Sequence, residues 1–373
     1  FDGKRATNNF TGLGNYSRAV VKVLSENFPE HQYRLYTPSV SADFQQRFKR
    51  GWKNVTIHLP KGKWLKSLWR ISGLTEDLQQ DRVDLFHGLS NELPLNIKKY
   101  GIPAIVTIHD LIYLRYPHYF KYIDRKIYDY KFRKACKQAD RIIAISQQTQ
   151  RDLISFFGVD PDKIDVVYQG CDPVFYTQAE VSALTEVKER YQLPEEFLLC
   201  VGTIEQRKNQ LLIVKAMEKL PEETHLVLVG RGTDYKKEIT QFLEQKPALA
   251  ERVHFLSNVP FEDLPLIFQN ASIFVYPSRF EGFGIPIIEA LRSRIPVIAA
   301  QGSCLEEAGG PDSLYIDPDD ENALAAAVRR IKNDDLLRKQ MVACGLNYAQ
   351  QFSEETIADN LMEVYLKVLD NKN

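Results

Sequence analysis

Residues 281–289 read Glu281-Gly282-Phe283-Gly284-Ile285-Pro286-Ile287-Ile288-Glu289, two carboxylates eight positions apart around a glycine turn. Upstream, Ser272-Ile273-Phe274-Val275-Tyr276-Pro277 is an apolar run closed by proline, the pattern of a buried strand. Pro286 suits the first turn of a helix, where a missing N–H costs nothing. The stretch therefore reads as strand, turn and helix, with Glu281 just past the strand's carboxyl end. Ligands of open α/β sheets gather there. Free amides at Gly284 and Ile285 suit an anion, most naturally a phosphate, and Glu289, one turn in, suits hydroxyl groups. An acid in a first helical turn also favours the dipole by ~0.3–1 kcal/mol with no ligand at all.

Outward from this stretch, short apolar strands alternate with helical segments in two series. Residues 84–87, 104–108, 141–145 and 164–168 form the first, and 197–201, 225–229, 252–255, 273–276 and 296–299 the second. Such alternation implies parallel sheets flanked by helices, an α/β class. A length of 373 residues exceeds one core and suits two domains. We place them at 1–172 and 173–352, the polar interval 169–194 being the connection. The amphipathic stretch 353–373, with Ile357, Leu361, Val364, Tyr365 and Val368 at helical spacing, suits packing on either domain.

A net charge of −1 conceals a division: residues 1–172 hold 27 Lys and Arg against 18 Asp and Glu, and residues 173–373 hold 21 against 31. The basic half suits an anionic partner, a membrane surface or a phosphorylated acceptor. No apolar run approaches the ~18–20 residues that span a bilayer, and no signal peptide opens the sequence. Five scattered cysteines without a C-x-x-C pair read as reduced thiols of a cytosolic protein. The seven histidines show no metal-ligand spacing, so no metal and no cofactor are expected. Phe1-Asp2-Gly3 reads as the tail of a strand, and Thr11-Gly12-Leu13-Gly14 as a glycine turn running into a helix, open to a phosphate or sugar at Gly12 and Gly14.

Together with that turn and the two-glutamate stretch, three further runs, Val106-Thr107-Ile108-His109-Asp110, Val201-Gly202-Thr203-Ile204-Glu205-Gln206-Arg207-Lys208-Asn209 and Leu228-Val229-Gly230-Arg231-Gly232, resemble the family 4 (group 1) retaining glycosyltransferases of GT-B architecture. The resemblance extends from about Phe1 to Tyr365. It implies two Rossmann-like domains facing across a cleft, the carboxyl-terminal one holding a nucleotide sugar, the amino-terminal one the acceptor, and the last helix crossing back to the first domain. His109 then lies beside the donor sugar, as does Glu281, while Glu289 holds the ribose hydroxyls. Arg207 and Lys208 supply the positive charge for the leaving diphosphate, in place of a metal. Arg231 adds a phosphate or base contact, Val259 meets the base through its backbone, and Phe283, Gly284 and Ile285 line the donor site. The sequence departs from the family in one place: many members carry arginine directly after the strand glycine, where this chain has Thr203.

The implied reaction moves a hexose from a nucleotide diphosphate sugar to a glycan or lipid-linked acceptor in surface polysaccharide or glycoconjugate synthesis. The Thr203-to-Asn209 run looks like that of mannosyl-type members, pointing to GDP-mannose, with a UDP-sugar as the other donor. A sugar-nucleotide epimerase of the same architecture and a non-catalytic nucleotide-sugar-binding protein share these motifs. All three tryptophans lie among basic residues between positions 52 and 69, and Trp64, Lys66, Trp69 and Arg70 read as an interfacial helix touching an anionic membrane. A second basic run, 121–137, has seven Lys and Arg against two acids. No nucleic-acid module is visible. The expected location is cytoplasmic, peripheral on the cytoplasmic face of a membrane.

Overall fold

The computed structural model describes residues 1–48, 52–60 and 68–370. It divides into two compact units, one built from Phe1–Gln169 with the segment from Ser353 onward, the other from Gly170–Phe352. The carboxyl-terminal helix thus belongs with the first unit, and residues 170–172 with the second.

In the first unit, β1 (Tyr33–Tyr36) pairs with β2 (Val55–His58), while β3 (Phe86–Gly88), β4 (Ala104–Ile108), β5 (Arg141–Ala144) and β6 (Ile164–Val166) form a parallel sheet in that order. Phe1–Gly3 run between the two pieces: Tyr36 N–H donates to Phe1 O, Gly3 N–H to Tyr36 O and Asp2 N–H to His87 O. A cavity of about 340 Å³ lies in line with them, lined by Phe1, Tyr33, Asp84, His87 and Tyr365 among others. Helices α1 (Gly12–Asn27), α2 (Tyr122–Gln138) and α3 (Gln147–Phe157) flank these strands. Strand β4 is buried along its whole length, as befits a central parallel strand covered on both faces.

In the second unit, β7 (Phe197–Val201), β8 (His225–Val229), β9 (Val253–Leu256), β10 (Ile273–Tyr276), β11 (Val297–Ala300) and β12 (Leu314–Ile316) form one parallel sheet in the order β12-β11-β10-β7-β8-β9. That is the doubly wound order, reversing between β7 and β10. The crevice at the carboxyl ends of those two strands is where such sheets take ligands. Helix α4 (Gln210–Met217) follows β7 and α5 (Ile285–Arg292) follows β10. The last helix, α6 (Glu354–Asp370), buries Ile357, Leu361, Val364, Tyr365 and Val368, the stripe its spacing predicts, and lies against α1. The five cysteines are free.

Candidate active site

In the second unit, the ends of β7 and β10 bring together the two motifs that flank the switch point. Glu281 Oε1 accepts hydrogen bonds from Lys208 Nζ at 2.9 Å, Tyr276 Oη at 3.0 Å and Ser278 Oγ at 2.8 Å. Its Oε2 lies 2.5 Å from the Arg207 guanidinium. Burial pushes the Glu281 carboxyl up, but the charges of Lys208 and then Arg207 outweigh it and hold it at about 2. Lys208 also donates to Tyr276 Oη at 2.6 Å, and Arg207 donates to Phe280 O and Glu205. Gly202 adopts φ +136°, and a Cβ there would stand 3.1 Å from the Lys208 side chain. A glycine is what lets that lysine lie across the strand end.

Eight residues on, Glu289 is the opposite case. It is half-buried, and no side-chain hydrogen bond or ion pair of its own occurs among the described residues. Desolvation first, then the Asp172 carboxylate, push it up to about 8 against the pull of Lys208. The two glutamates thus occupy different electrostatic states: one is an anion held by two cations, the other a desolvated acid. Gly284 caps α5, with Pro286 in the helix's first turn. Phe283 is buried and meets Phe352 edge to face, at 5.6 Å, so its side chain supports the turn from behind. Ile285 is half-buried. Arg231 is exposed after β8, and Val259 is half-buried on the loop after β9.

In the first unit, His109 follows β4 and is buried. Its Nε2 lies 2.9 Å from Leu89 O. A carbonyl only accepts, so Nε2 carries the proton and Nδ1 is left as an acceptor. Burial lowers its pKa to about 4, with the Leu89 bond opposing and the Arg5 charge adding, so the ring is neutral at pH 7. Asn91 Oδ1 accepts from His109 N–H, and Thr149 Oγ1 donates to His109 O. Gly12 is exposed, with nothing within 4 Å of an added Cβ, whereas at Gly14 that atom would fall 1.8 Å from Asn9 O. Gly14 is therefore needed for the packing of the turn itself, and Gly12 is the open position.

Two of the membrane residues read from sequence are corrected. Trp69 is fully buried, its Nε1–H donating to Asp77 Oδ2 at 2.7 Å. Arg70 is paired at 2.6 Å with both Asp2 and Glu92. An amphipathic spacing does not say which medium its apolar side meets, and here it is the core. Trp64 and Lys66 lie outside the described residues. Sequence reading also missed Tyr276, Ser278 and Cys304, whose Sγ lies 3.0 Å from Glu281 O and 2.9 Å from Phe283 O. The polar Tyr276 and Ser278 at the end of an otherwise apolar strand were the available signal; nothing pointed to Cys304.

The family model for glycosyl transferases group 1 matches residues 183–347, and that for glycosyltransferase family 4 matches residues 10–175. The O-antigen chain mannosyltransferase B of Escherichia coli is 30% identical over 292 residues, 75% of this chain and 74% of its own length. The chain is a family 4, group 1 glycosyltransferase. Among this glycosyltransferase's other relatives, the O-antigen chain mannosyltransferase RfbU of Salmonella typhimurium is 29% identical over 227 residues, 61% of this chain and 60% of that protein. The crystal structure of HepE from Anabaena, in complex with UDP and glucose, matches with a TM-score of 0.74 and 20% identity, covering 93% of this chain and 94% of HepE. The likeness is one of fold, and the fold is GT-B.

Proposed function

We propose that this glycosyltransferase is a retaining, metal-independent hexosyltransferase that uses a nucleotide diphosphate sugar, GDP-mannose before a UDP-sugar, to build a surface polysaccharide or glycoconjugate. One observation carries the reading: Arg207 and Lys208 converge on Glu281 at the switch point, with Glu289, which has no side-chain partner among the described residues, one turn into the helix that follows. The cations neutralise a leaving diphosphate without a metal. Glu281 pairs with both cations, an internal counter-ion that the diphosphate displaces in part. Glu289 accepts the ribose hydroxyls. The mannosyl preference rests on the names of the Escherichia coli and Salmonella relatives.

In the proposed step the acceptor hydroxyl attacks the anomeric carbon from the face of the leaving group. The bond from that carbon to the β-phosphate oxygen breaks, the new glycosidic bond forms, and the departing phosphate takes the hydroxyl proton. Glu281 orients the sugar and stays ionised throughout. His109, neutral and with only Nδ1 open, accepts a sugar hydroxyl and does not act as an acid.

A binding and hydrolysis screen against GDP-, UDP-, ADP- and dTDP-sugars in EDTA, with wild type and Glu289→Ala, tests the donor. Selective binding of one donor, weakened at least tenfold by the variant, is the expected result. Binding indifferent to Glu289, or product isomerised with no acceptor present, contradicts it.

The acceptor is proposed to be a glycan or a lipid-linked glycan at a membrane surface. No helix among the described residues is long and apolar enough to cross a membrane, but α2 offers a peripheral contact. Ile123, Ile127 and Tyr130 share one face and are 71%, 45% and 60% exposed, with Lys121, Lys126 and Lys137 exposed on the same helix or at its start. Each basic residue at an anionic surface adds ~1 kcal/mol. Cosedimentation with vesicles of phosphatidylglycerol, compared with phosphatidylcholine, should show binding lost in an Ile123→Asp, Ile127→Asp double variant; equal binding to both vesicles rejects the contact.

A further inference from the structure

A buried chain of polar groups runs from the carboxyl-terminal helix to the surroundings of His109. Tyr365 Oη on α6 is 2.7 Å from His87 Nδ1, and His87 Nε2 is 2.8 Å from Thr107 Oγ1. Thr107 Oγ1 is 2.9 Å from Tyr16 Oη. The Tyr16 ring then meets the His109 ring edge-on, with centroids 4.6 Å apart and planes at 87°. All five side chains are under 10% exposed. Two covalent links tighten the arrangement: Thr107 lies two residues before His109 at the end of β4, and Leu89, whose carbonyl holds Nε2–H, lies two residues after His87.

We propose that Tyr365 and His87 are positioning residues for His109, acting through Thr107 and Tyr16 to hold the ring in one orientation with Nδ1 free. The proposal rests on the reading of His109 as a group that touches the sugar. Several features point this way. A neutral histidine supplies one donor and one acceptor, so of the Tyr365 and Thr107 hydroxyls one donates to His87 and the other accepts from it. Packing alone does not call for such a chain, since apolar residues of the same shape would fill the space at nearly neutral cost. What a satisfied polar network adds is a unique geometry. Here the geometry ends on the tyrosine ring that walls one side of His109. The imidazole is also held at Nε2 by the Leu89 carbonyl, so ring orientation depends on the two contacts together.

The test uses the full chain, with GDP-mannose as donor and histidine labelled with nitrogen-15. Tyr365→Phe and Tyr16→Phe are each made in the wild-type and His109→Ala backgrounds. The expected results are a fall in kcat of about ten- to hundredfold, a KM for GDP-mannose within about twofold of wild type, and displaced His109 ring-nitrogen signals with circular dichroism unchanged. In the His109→Ala background the same substitutions should add less than about twofold, as coupled sites do. An equal loss in both backgrounds, or His109 ring signals that do not move in either variant, overturns the relay. Full turnover in His109→Ala would instead sink the role given to His109 itself, and the ring signals then decide the relay alone. If Tyr365→Phe fails to fold, Tyr16→Phe, at the other end of the chain, supplies the same comparison.

Discussion

Lys208 Nζ stands 2.9 Å from Glu281 Oε1, so the cation proposed to neutralise a leaving diphosphate is held by the carboxylate proposed to orient the sugar. The pair ties the strand-end motif of β7 to that of β10 across the switch point. It also sets the stability of the fold against its affinity for an anion, because whatever binds the lysine competes with Glu281.

Replacing Glu281 by glutamine should therefore have opposite effects on stability and on nucleotide binding. Removing one partner of a buried ion pair leaves the others uncompensated, at a cost of about 3 kcal/mol, so the melting temperature of the free protein should fall. GDP should bind severalfold more tightly, because Arg207 and Lys208 are released, and should recover most of the lost stability. Transfer should fall by about 100-fold or more. Weaker GDP binding in the variant, measured by calorimetry, would contradict the counter-ion role.

Donor binding should release a proton near neutral pH. With the carboxyl of Glu289 pushed up to about 8 by desolvation and Asp172, the free protein is mostly protonated there at pH 7. Two ribose hydroxyls donating to it favour the anion. Affinity should rise from pH 6 to 9, and titration in buffers of different ionisation enthalpy should reveal up to one proton released. The same group costs stability in the free protein: its folded pKa is raised, the folded state binds more protons, and stability falls as pH rises from about 4.5 through 8. Binding that does not vary with pH excludes this state for Glu289.

Acid should act on the two units by different groups. Glu281 has its pKa depressed to about 2, so its contribution is present above the usual carboxylate value and is lost as pH falls from about 4.5 toward 2. His109 is depressed to about 4. The unfolded chain therefore binds more protons between about 6.5 and 4, and stability falls with pH across that window. Thermal melts from pH 7 to 3 should show the upper part of this fall reduced in His109→Phe and unchanged in Glu281→Gln.

The two glycines of the first turn should separate by phenotype. Gly14→Ala forces a methyl to within 1.8 Å of Asn9 O unless the turn moves, and overpacking of this kind costs about 1–3 kcal/mol. Gly12→Ala meets no atom within 4 Å and should leave the melting temperature unchanged; if a sugar or phosphate approaches that backbone, turnover falls all the same. A normal melting temperature in Gly14→Ala would show that the turn adapts.

The nine strands read from the sequence all occur: β4, β7, β8, β10 and β11 are apolar runs of four or five residues, buried in parallel sheets, whereas β3 and β6 are three residues long. The three that escaped notice lack a long apolar run: Val55–His58 has no fully buried residue, Leu314–Ile316 is short with one buried residue, and Tyr33–Tyr36 carries two tyrosines and an arginine. The motif glutamates, Arg207, Lys208 and His109 were singled out through the resemblance of their motifs to the family, and of these the structure brings Glu281, Arg207 and Lys208 into contact. Their supports were not legible. Tyr276, Ser278 and Tyr16 act through hydroxyls whose direction depends on the tertiary fold, and Trp69 looked interfacial until Asp77 took its indole N–H.

The stereochemistry of donor hydrolysis tests the central claim most directly, because it requires no knowledge of the acceptor. GDP-α-D-mannose is incubated with the protein in EDTA, and the anomeric proton of the first mannose released is followed by NMR. Release of the α-anomer, at a rate unchanged by EDTA and lost in Glu281→Gln, is the result predicted for a retaining site that uses Arg207 and Lys208 in place of a metal. The β-anomer released first, or hydrolysis abolished by EDTA and restored by a divalent cation, would contradict it.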